Sequence, residues 1–270
     1  MSQIKGAVVL ITGGASGIGK IMGKICLEKG ARALIIWDFN QQKLDESLQE
    51  FRTAGFPAYG YIVDVANTDF VVKTAREILL EHGPVDILIN NAGIVVGKFF
   101  TEHSHAEIDR TMQVNTHALM HITLSFLPGM IQRQQGHIVN ISSAAGMAAN
   151  PQMSVYVASK WAVLGWGETL RLELEARHPG LHVTNVTPFY IGTEMFKGVR
   201  SPIVPIVRPE SAAKQIIRAI EKNRIYCRMP WIVYAMPFFK GILPQRWYDA
   251  LIGKWFGIYS SMKAFQGYMQ

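Results

Sequence analysis

The sequence predicts an α/β fold: a single doubly wound domain whose parallel sheet of about seven strands is flanked by helices, with an aromatic-rich C-terminal extension. Two observations carry this. Apolar runs of five or six residues, too short for core helices, alternate with longer helix-like stretches along most of the chain. The first of those runs also opens into a glycine-rich turn that leads straight into a helix-like stretch. Composition sets the scale, since 270 residues that are 49% apolar and 17% charged can bury one sizeable core. No repeat or low-complexity stretch divides them. Residues 1–228 read as the sheet-forming unit and 229–270 as its extension.

Taken in order, residues 7–12 are a short buried strand. Gly13, Gly17 and Gly19 follow in the spacing Gly-x-x-x-Gly-x-Gly, with Ser16 and Ile18 between them, and residues 20–29 read as helix. Strand, glycine turn and helix together make a pyrophosphate cradle: the backbone comes close to the anion, which rests on the unpaired N–H groups of the helix start. The second strand, 33–37, ends at Asp38. An acid there accepts ribose hydroxyls and repels a 2′-phosphate. At about 4 Å and an effective dielectric near 20, each such like-charge pair costs on the order of 4 kcal/mol before screening. No Lys or Arg stands inside the glycine turn or directly after Asp38, so NAD is expected and NADP is disfavoured. An Asp at this place can equally cap the next helix, 41–54. A third strand, 59–63, runs into Asp64 and Val65, and a helix follows over 68–82. A fourth strand, 85–89, runs into Asn90-Asn91-Ala92-Gly93, where the small residues leave room for a flat adenine or a ribose. The two asparagines there would serve a purely structural turn as well. In a parallel sheet all these strand ends meet on one edge, where ligands bind.

The strand-like run 137–143 closes on Ser143, thirteen residues before Tyr156, and Lys160 stands one helical turn beyond the tyrosine. A free phenol has a pKa near ~10, and bringing it to about 7 takes roughly 4 kcal/mol of phenolate stabilisation. A fixed cation nearby is one device that supplies it. An isolated pair of this kind is more simply a buried tyrosine and a solvated lysine. Beside a nucleotide-like first half, it points to proton transfer at a substrate oxygen.

Thr12-Gly13-Gly14-Ala15-Ser16-Gly17-Ile18-Gly19, Asp64-Val65, Asn90-Asn91-Ala92-Gly93, Asn115, Ser143, and Tyr156 with Lys160 occur in one order and spacing across residues 7–193. In these the chain resembles the short-chain dehydrogenase/reductase family, whose domain is of Rossmann type. The resemblance implies that Tyr156 is the catalytic acid/base and that Ser143 bonds the substrate oxygen. By the same likeness Lys160 binds the nicotinamide ribose and lowers the phenol pKa, and Asn115 holds a water linking the lysine to solvent. Asp64 and Val65 would meet adenine, and Asn91 and Gly93 would line the adenosine ribose beside Ala92. The register to the tyrosine selects Ser143 over Ser142. After the sixth strand the family's Pro-Gly is here Pro188-Phe189. Pro188, Ile191 and Thr193 fall on the nicotinamide side, and Phe189 puts a large ring near the cofactor. This segment and the aromatic tail resemble the branch that handles retinoids, steroids and other lipid alcohols. A homodimer or homotetramer, paired through the helices around Asn115 and Tyr156, is implied by the same resemblance.

Candidate substrate walls are Ile94, Val95 and Val96, residues 145–149 from Ala145 onward, Met153, Phe189, Tyr190, Met195 and Phe196. All are apolar or adaptable, so an apolar alcohol or ketone is expected unless Lys98 or Lys197 turns inward. The leading expectation is an NAD-dependent oxidoreductase interconverting a lipophilic alcohol and its carbonyl. A carbonyl or 3-oxoacyl-type reductase working in the reductive direction is the alternative. A dinucleotide-binding regulator without chemistry stands further off, because Asn115, Ser143, Tyr156 and Lys160 are all present.

Between residues 231 and 259 lie nine of the chain's 28 aromatics, interleaved with Lys240, Arg246 and Lys254 and broken by Pro230, Pro237 and Pro244. Such a segment suits a lid, a subunit contact or a membrane surface. The net charge of +7 is scattered, with no basic stripe for nucleic acid. His117 and His121 share a helix face without a third ligand, so no metal is expected. Cys26 and Cys227 read as reduced, buried thiols. A first strand so near the N-terminus leaves no signal peptide or transmembrane helix to expect. The protein is therefore expected in the cytoplasm, with peripheral membrane contact through 229–270 as an option.

Overall fold

Helical crossovers allow apolar runs to pair in parallel, and seven strands do so in the computed structural model, which describes residues 2–201, 203–255 and 257–267. The strands are β1 (Val8–Thr12), β2 (Ala33–Asp38), β3 (Ala58–Ile62), β4 (Ile87–Asn90), β5 (Gly136–Ile141), β6 (Leu181–Pro188) and β7 (Tyr226–Met229). Their order in the sheet is β3-β2-β1-β4-β5-β6-β7, every pairing parallel. The order reverses between β1 and β4, which opens a crevice at the carboxyl edge there.

Alternation along the strands builds two cores. Val9 and Ile11 face a layer holding Met22 and Cys26 of α1 (Gly17–Glu28), Leu44 and Phe51 of α2 (Gln41–Thr53), and Ile216 of α7 (Pro209–Glu221). Val8 and Leu10 face the opposite layer, with Ile78 of α3 (Thr68–Glu81), Phe126 of α5 (Ala118–Arg133) and Leu170 of α6 (Ser154–Arg177). The short helix α4 (His105–Met112) precedes α5.

Element boundaries differ from the sequence expectation by one to three residues, α1 most, since it begins at Gly17 inside the glycine turn. β3 begins at Ala58 and ends at Ile62, one residue early. β4 begins at Ile87 because the Asp86 carboxylate accepts the Val8 N–H at 2.9 Å and pairs with Arg133 at 2.6 Å. Asp38 does not cap α2: Asn40 does, its side chain accepting the Lys43 N–H at 2.9 Å.

Beyond β7 the prolines set the breaks. Pro230 precedes a 3-10 turn (Trp231–Tyr234), Pro237 sits in the first turn of α8 (Met236–Ile242), and Pro244 precedes α9 (Gln245–Tyr248). A π-type turn, Asp249–Trp255, follows. Phe256, one of the nine aromatics, lies outside the described residues. Among the described residues no helix is long and apolar enough to cross a membrane. A third apolar cluster joins this segment to the sheet edge through Val233, Met236, Tyr248, Ile258 and Met262, packed with Tyr156, Phe189 and Tyr190.

Candidate active site

The glycine turn sits on the crevice. Gly13 takes φ +61°, a conformation that side chains resist, and a Cβ on Gly19 would lie 2.3 Å from the Gly13 carbonyl oxygen. The turn therefore closes only with hydrogen at both places. Ser16 precedes α1 without capping it by its side chain, and the first turn of α1 holds no acid, so the helix start is left for an anion. Ile18 packs down onto the core. Asp38 is buried; its Oδ2 accepts the Ala15 N–H at 3.1 Å and its Oδ1 the Asn40 N–H at 3.0 Å. A carboxylate has further lone pairs for ribose hydroxyls, and here it also fastens the glycine turn.

Across the turn, a Cβ added at Gly17 would stand 3.9 Å from Thr193 Cγ2. The slot between the glycine turn and the loop after β6 is thus about one side chain wide at that point. That loop is anchored through Pro188, paired with Met229, and through Ile191, which bridges Val207. At Gly93, a Cβ would come within 3.3 Å of Asn115 Oδ1 and 3.6 Å of Lys160 Nζ. A side chain at Gly93 would therefore crowd Asn115 and meet the Lys160 ammonium, so the chain passes this close to both as glycine. Asn91 has a different part: its Nδ2 donates to the Thr12 and Gly13 carbonyls at 2.9 and 3.0 Å, tying β4 to the turn. Asn90 likewise donates to Thr123 and Asn140 at 3.0 Å. The structural reading of that asparagine pair is the one the side-chain bonds support. The Thr12 hydroxyl accepts the Ala92 N–H at 3.0 Å, and Val65 is buried. Asp64 pairs with Arg110 of α4 at 2.9 Å; burial works to raise its pKa, but Arg110 and the Ala66 N–H together hold it below its ordinary value.

The chemical group lies one strand further on. Ser142 is turned inward, donating to the Lys160 carbonyl at 3.0 Å, which leaves Ser143, whose Oγ accepts the Ala145 N–H at 3.1 Å, near enough to the Tyr156 phenol to act on its pKa. Lys160 is one turn along α6, buried, with Nζ 5.7 Å from the centroid of the Tyr156 ring. Asn115 sits in a π-type turn, Gln113–His117, between α4 and α5. Its Oδ1 accepts the Ile94 N–H at 2.8 Å, and its Nδ2 donates to Ile94 O and Ser159 Oγ at 2.9 and 3.1 Å. All four residues meet at the crevice.

Their electrostatics differ from the sequence expectation. Burial pushes the Tyr156 phenol above its ordinary value, Ser143 draws it back, and Tyr190 adds to the rise. Lys160 is itself pushed down to about 8 by burial. Its Nζ donates to the Ile141 carbonyl at 2.9 Å, so the ammonium is directed at backbone and not at the phenol oxygen. Burial, and not the lysine, is the larger influence on the phenol here.

Beside this group a narrow apolar cleft of about 30 Å³ is lined by Ser143, Ala145, Met153, Phe189, Tyr190 and Phe196 as expected. Met195, Tyr156, Ile94, Val95 and Val96, also expected there, are not on that wall; Met195, Tyr156 and Val95 pack into the surrounding apolar cluster. Lys98 turns outward to Glu107 at 2.7 Å, and Lys197 is exposed. Four lining residues were missed in the sequence: Ala144, Asn150, Met236 and Ile258. Asn150 Nδ2 donates to Tyr190 OH at 2.8 Å, and Tyr190 OH bonds Ser261 Oγ at 2.9 Å. This chain ties the substrate loop to the C-terminal segment. An asparagine one residue past the predicted 145–149 wall was a faint signal for it. Nothing local marks Met236 or Ile258, which lie 40 and 62 residues beyond Phe196, the nearest other lining residue in the sequence.

A parallel sheet with its crevice at the β1/β4 reversal, and a tyrosine, serine and lysine at the crevice, define an oxidoreductase that uses a nicotinamide dinucleotide on CH–OH groups. The family model described as short chain dehydrogenase matches residues 7–203, and the chain belongs to that family. It is similar to human "Short-chain dehydrogenase/reductase 3", 35% identical over 262 residues covering 96% of this chain and 86% of that one. Mouse "Epidermal retinol dehydrogenase 2" is 37% identical over 270 residues, covering 98% of this chain and 87% of that one. Among solved structures, a short chain dehydrogenase/reductase from Burkholderia phymatum in complex with NAD superposes with a TM-score of 0.81 at 25% identity, covering 94% and 97% of the two chains.

Proposed function

We propose that this protein interconverts a lipophilic alcohol of the retinoid, steroid or long-chain class and its carbonyl, with NAD(H) as the cofactor and Tyr156 as acid/base. One observation carries the reading: Ser143, close enough to Tyr156 to draw its phenol pKa down, stands on a cleft whose lining has no charged side chain. A sugar phosphate or short acid would find nothing there to pair with. Retinol is in the names of relatives from mouse and from Danio rerio, the latter 34% identical over 271 residues covering 90% of this chain and 80% of that one. Ser143 holds the substrate oxygen and Tyr156 exchanges its proton. Lys160, beside Gly93, holds the nicotinamide ribose, and Asn115 fixes the loop at Ile94. Gly13, Ser16, Gly17 and Gly19 take the pyrophosphate, Asp38 the adenosine ribose, Asp64 and Val65 the adenine, and Ile191 and Thr193 the carboxamide. When bound, the nicotinamide supplies the hydride acceptor or donor. NAD is preferred because Asp38 is buried beside the turn and repels a 2′-phosphate.

The reductive direction is the second reading, favoured by the protonated phenol that burial maintains at Tyr156. Carbonyl reduction needs that proton on the tyrosine at the start. The segment 229–270 acts as a wall of the cleft, with Met236 and Ile258 on it. Subunits pair through α5 and α6 into a dimer or tetramer.

The test is a panel of retinol, a steroid alcohol, long-chain alcohols, a sugar and a 2-hydroxy acid, with NAD and NADP, run in both directions and read by nicotinamide absorbance. Turnover of the lipid alcohols or their carbonyls well above that of the sugar and the 2-hydroxy acid, and stronger with NAD, is expected. Faster turnover of the sugar or the 2-hydroxy acid would overturn the reading.

A further inference from the structure

The segment after β7 has two faces. Its inner side chains, Met236 and Ile258, wall the substrate cleft. Its outer ones, Trp231, Phe238, Ile242, Trp247 and Trp255, are each between 62% and 77% exposed. Among the described residues, eight large apolar side chains are more than 60% exposed, and these five fall within 25 positions. Scattered exposed hydrophobes are ordinary, but a cluster marks an interaction surface. Phe238 and Ile242 lie one turn apart on α8, so they share a face. Leu243, Trp247, Leu251 and Trp255 line a shallow open groove with Arg246 beside them.

Charge selects the occupant. Arg246 and Lys254 are exposed along this stretch. The one acid there, Asp249, is engaged by Tyr259 OH at 2.6 Å and Gln245 Nε2 at 2.8 Å. Lys240 is drawn inward, donating to the Met147 carbonyl at 3.0 Å with its ammonium 3.8 Å from the Trp161 ring centroid, and so pins the segment to the domain. Three of the five outer side chains are tryptophans, whose rings combine an apolar body with a polar N–H and suit the headgroup boundary. Exposed tryptophans with exposed cations match an anionic lipid surface, to which each Lys or Arg adds attraction.

We propose that the face formed by Trp231, Phe238, Ile242, Trp247 and Trp255 docks on an anionic phospholipid bilayer, with acyl chain entering the groove between Trp247 and Trp255. This deepens the lipid-alcohol reading: the same segment that touches the bilayer walls the cleft, so an alcohol dissolved in the membrane has a short apolar route to Ser143 and Tyr156.

The experiment is co-sedimentation of the full chain with phosphatidylcholine vesicles, with and without phosphatidylserine, alongside turnover of a water-soluble alcohol. Wild type should sediment with the phosphatidylserine vesicles, and Trp247→Ser/Trp255→Ser should weaken this more than about tenfold. Arg246→Glu/Lys254→Glu should erase the preference for phosphatidylserine, a loss of about tenfold or more. Turnover of the soluble alcohol should be unchanged in both. If the tryptophan variant loses its near-ultraviolet dichroism, Phe238→Ser/Ile242→Ser replaces it with the same expectation. Wild type that stays in the supernatant overturns the proposal. So do tryptophan variants that sediment like wild type, or that break an oligomer by light scattering while sedimentation holds. Sedimentation as expected, with no lipid alcohol turned over, would instead fail the functional reading and leave docking intact.

Discussion

Burial places Tyr156 where its phenol holds its proton, and Lys160 is aimed at the Ile141 carbonyl and not at the phenol oxygen. The sign of the pH dependence follows. Oxidation needs phenolate, and a phenol whose pKa is raised yields more of it as pH climbs. Reduction needs the neutral phenol, which persists over the same range. Oxidative kcat/KM should therefore rise by up to about tenfold per pH unit between roughly pH 6 and 8, below the point where Lys160, pushed down to about 8, loses its charge, while reductive kcat/KM stays level. An oxidative plateau already reached at neutral pH would show a depressed phenol. Asp38 gives a second prediction at this scale. Asp38→Asn keeps the size and one acceptor for the Ala15 N–H but removes the charge, so NADP should gain on NAD by about tenfold or more in kcat/KM. An unchanged cofactor ratio would remove the electrostatic account of the preference. The site's members were legible from the sequence because each lies at a strand end or on one helix face, where local spacing fixes position. Their protonation was not, since desolvation depends on what packs around the pair from distant elements, here Tyr190 and Phe196.

Away from the site, β5 and β6 carry a buried histidine that the mechanism does not use. His137 bonds Ser2 and Thr184 at 2.8 Å, with the His182 ring 5.8 Å away. Burial first, then His182, pushes His137 down from 6.5 to about 3. Between those values the unfolded chain binds the proton and the folded one does not, so stability is full above about pH 6.5 and declines as pH falls toward 3. Urea midpoints at pH 7.5 and 5 should show this decline, and His137→Gln should flatten it; an equal decline in the variant would assign it elsewhere. Strands were readable because the buried runs on both sheet faces are continuous, and helix ends matched to within a few residues. The π-type turn at Asn115 was hidden, since it is held by bonds to Ile94 and Ser159 from other elements. The cap of α2 was misread because Asp38 and Asn40 are both good capping residues, and only the turn of the chain gives the helix to Asn40.

At the scale of the molecule, the sheet supplies the crevice and the C-terminal segment completes the wall of the cleft beside it. That division was partly legible: a change of composition marked the segment, but only the fold brings Met236 and Ile258 to the cleft. Met236→Trp should fill the cleft and lower kcat/KM for retinol-sized alcohols by about tenfold or more, with a short alcohol unaffected. Equal losses for both substrates would mean the segment is not a substrate wall. The two cysteines play no part in this: Cys26 and Cys227 are buried, and burial pushes their thiols up to about 12 and about 11, which keeps them unreactive.

Single-turnover hydride transfer in Tyr156→Phe tests the central claim most directly. The phenylalanine keeps the ring against Phe196 and removes only the exchangeable proton. With retinol and NAD, or retinal and NADH, the rate should fall by about a hundredfold to ten-thousandfold while NADH binding, read by fluorescence, holds. Transfer at the wild-type rate would contradict the account.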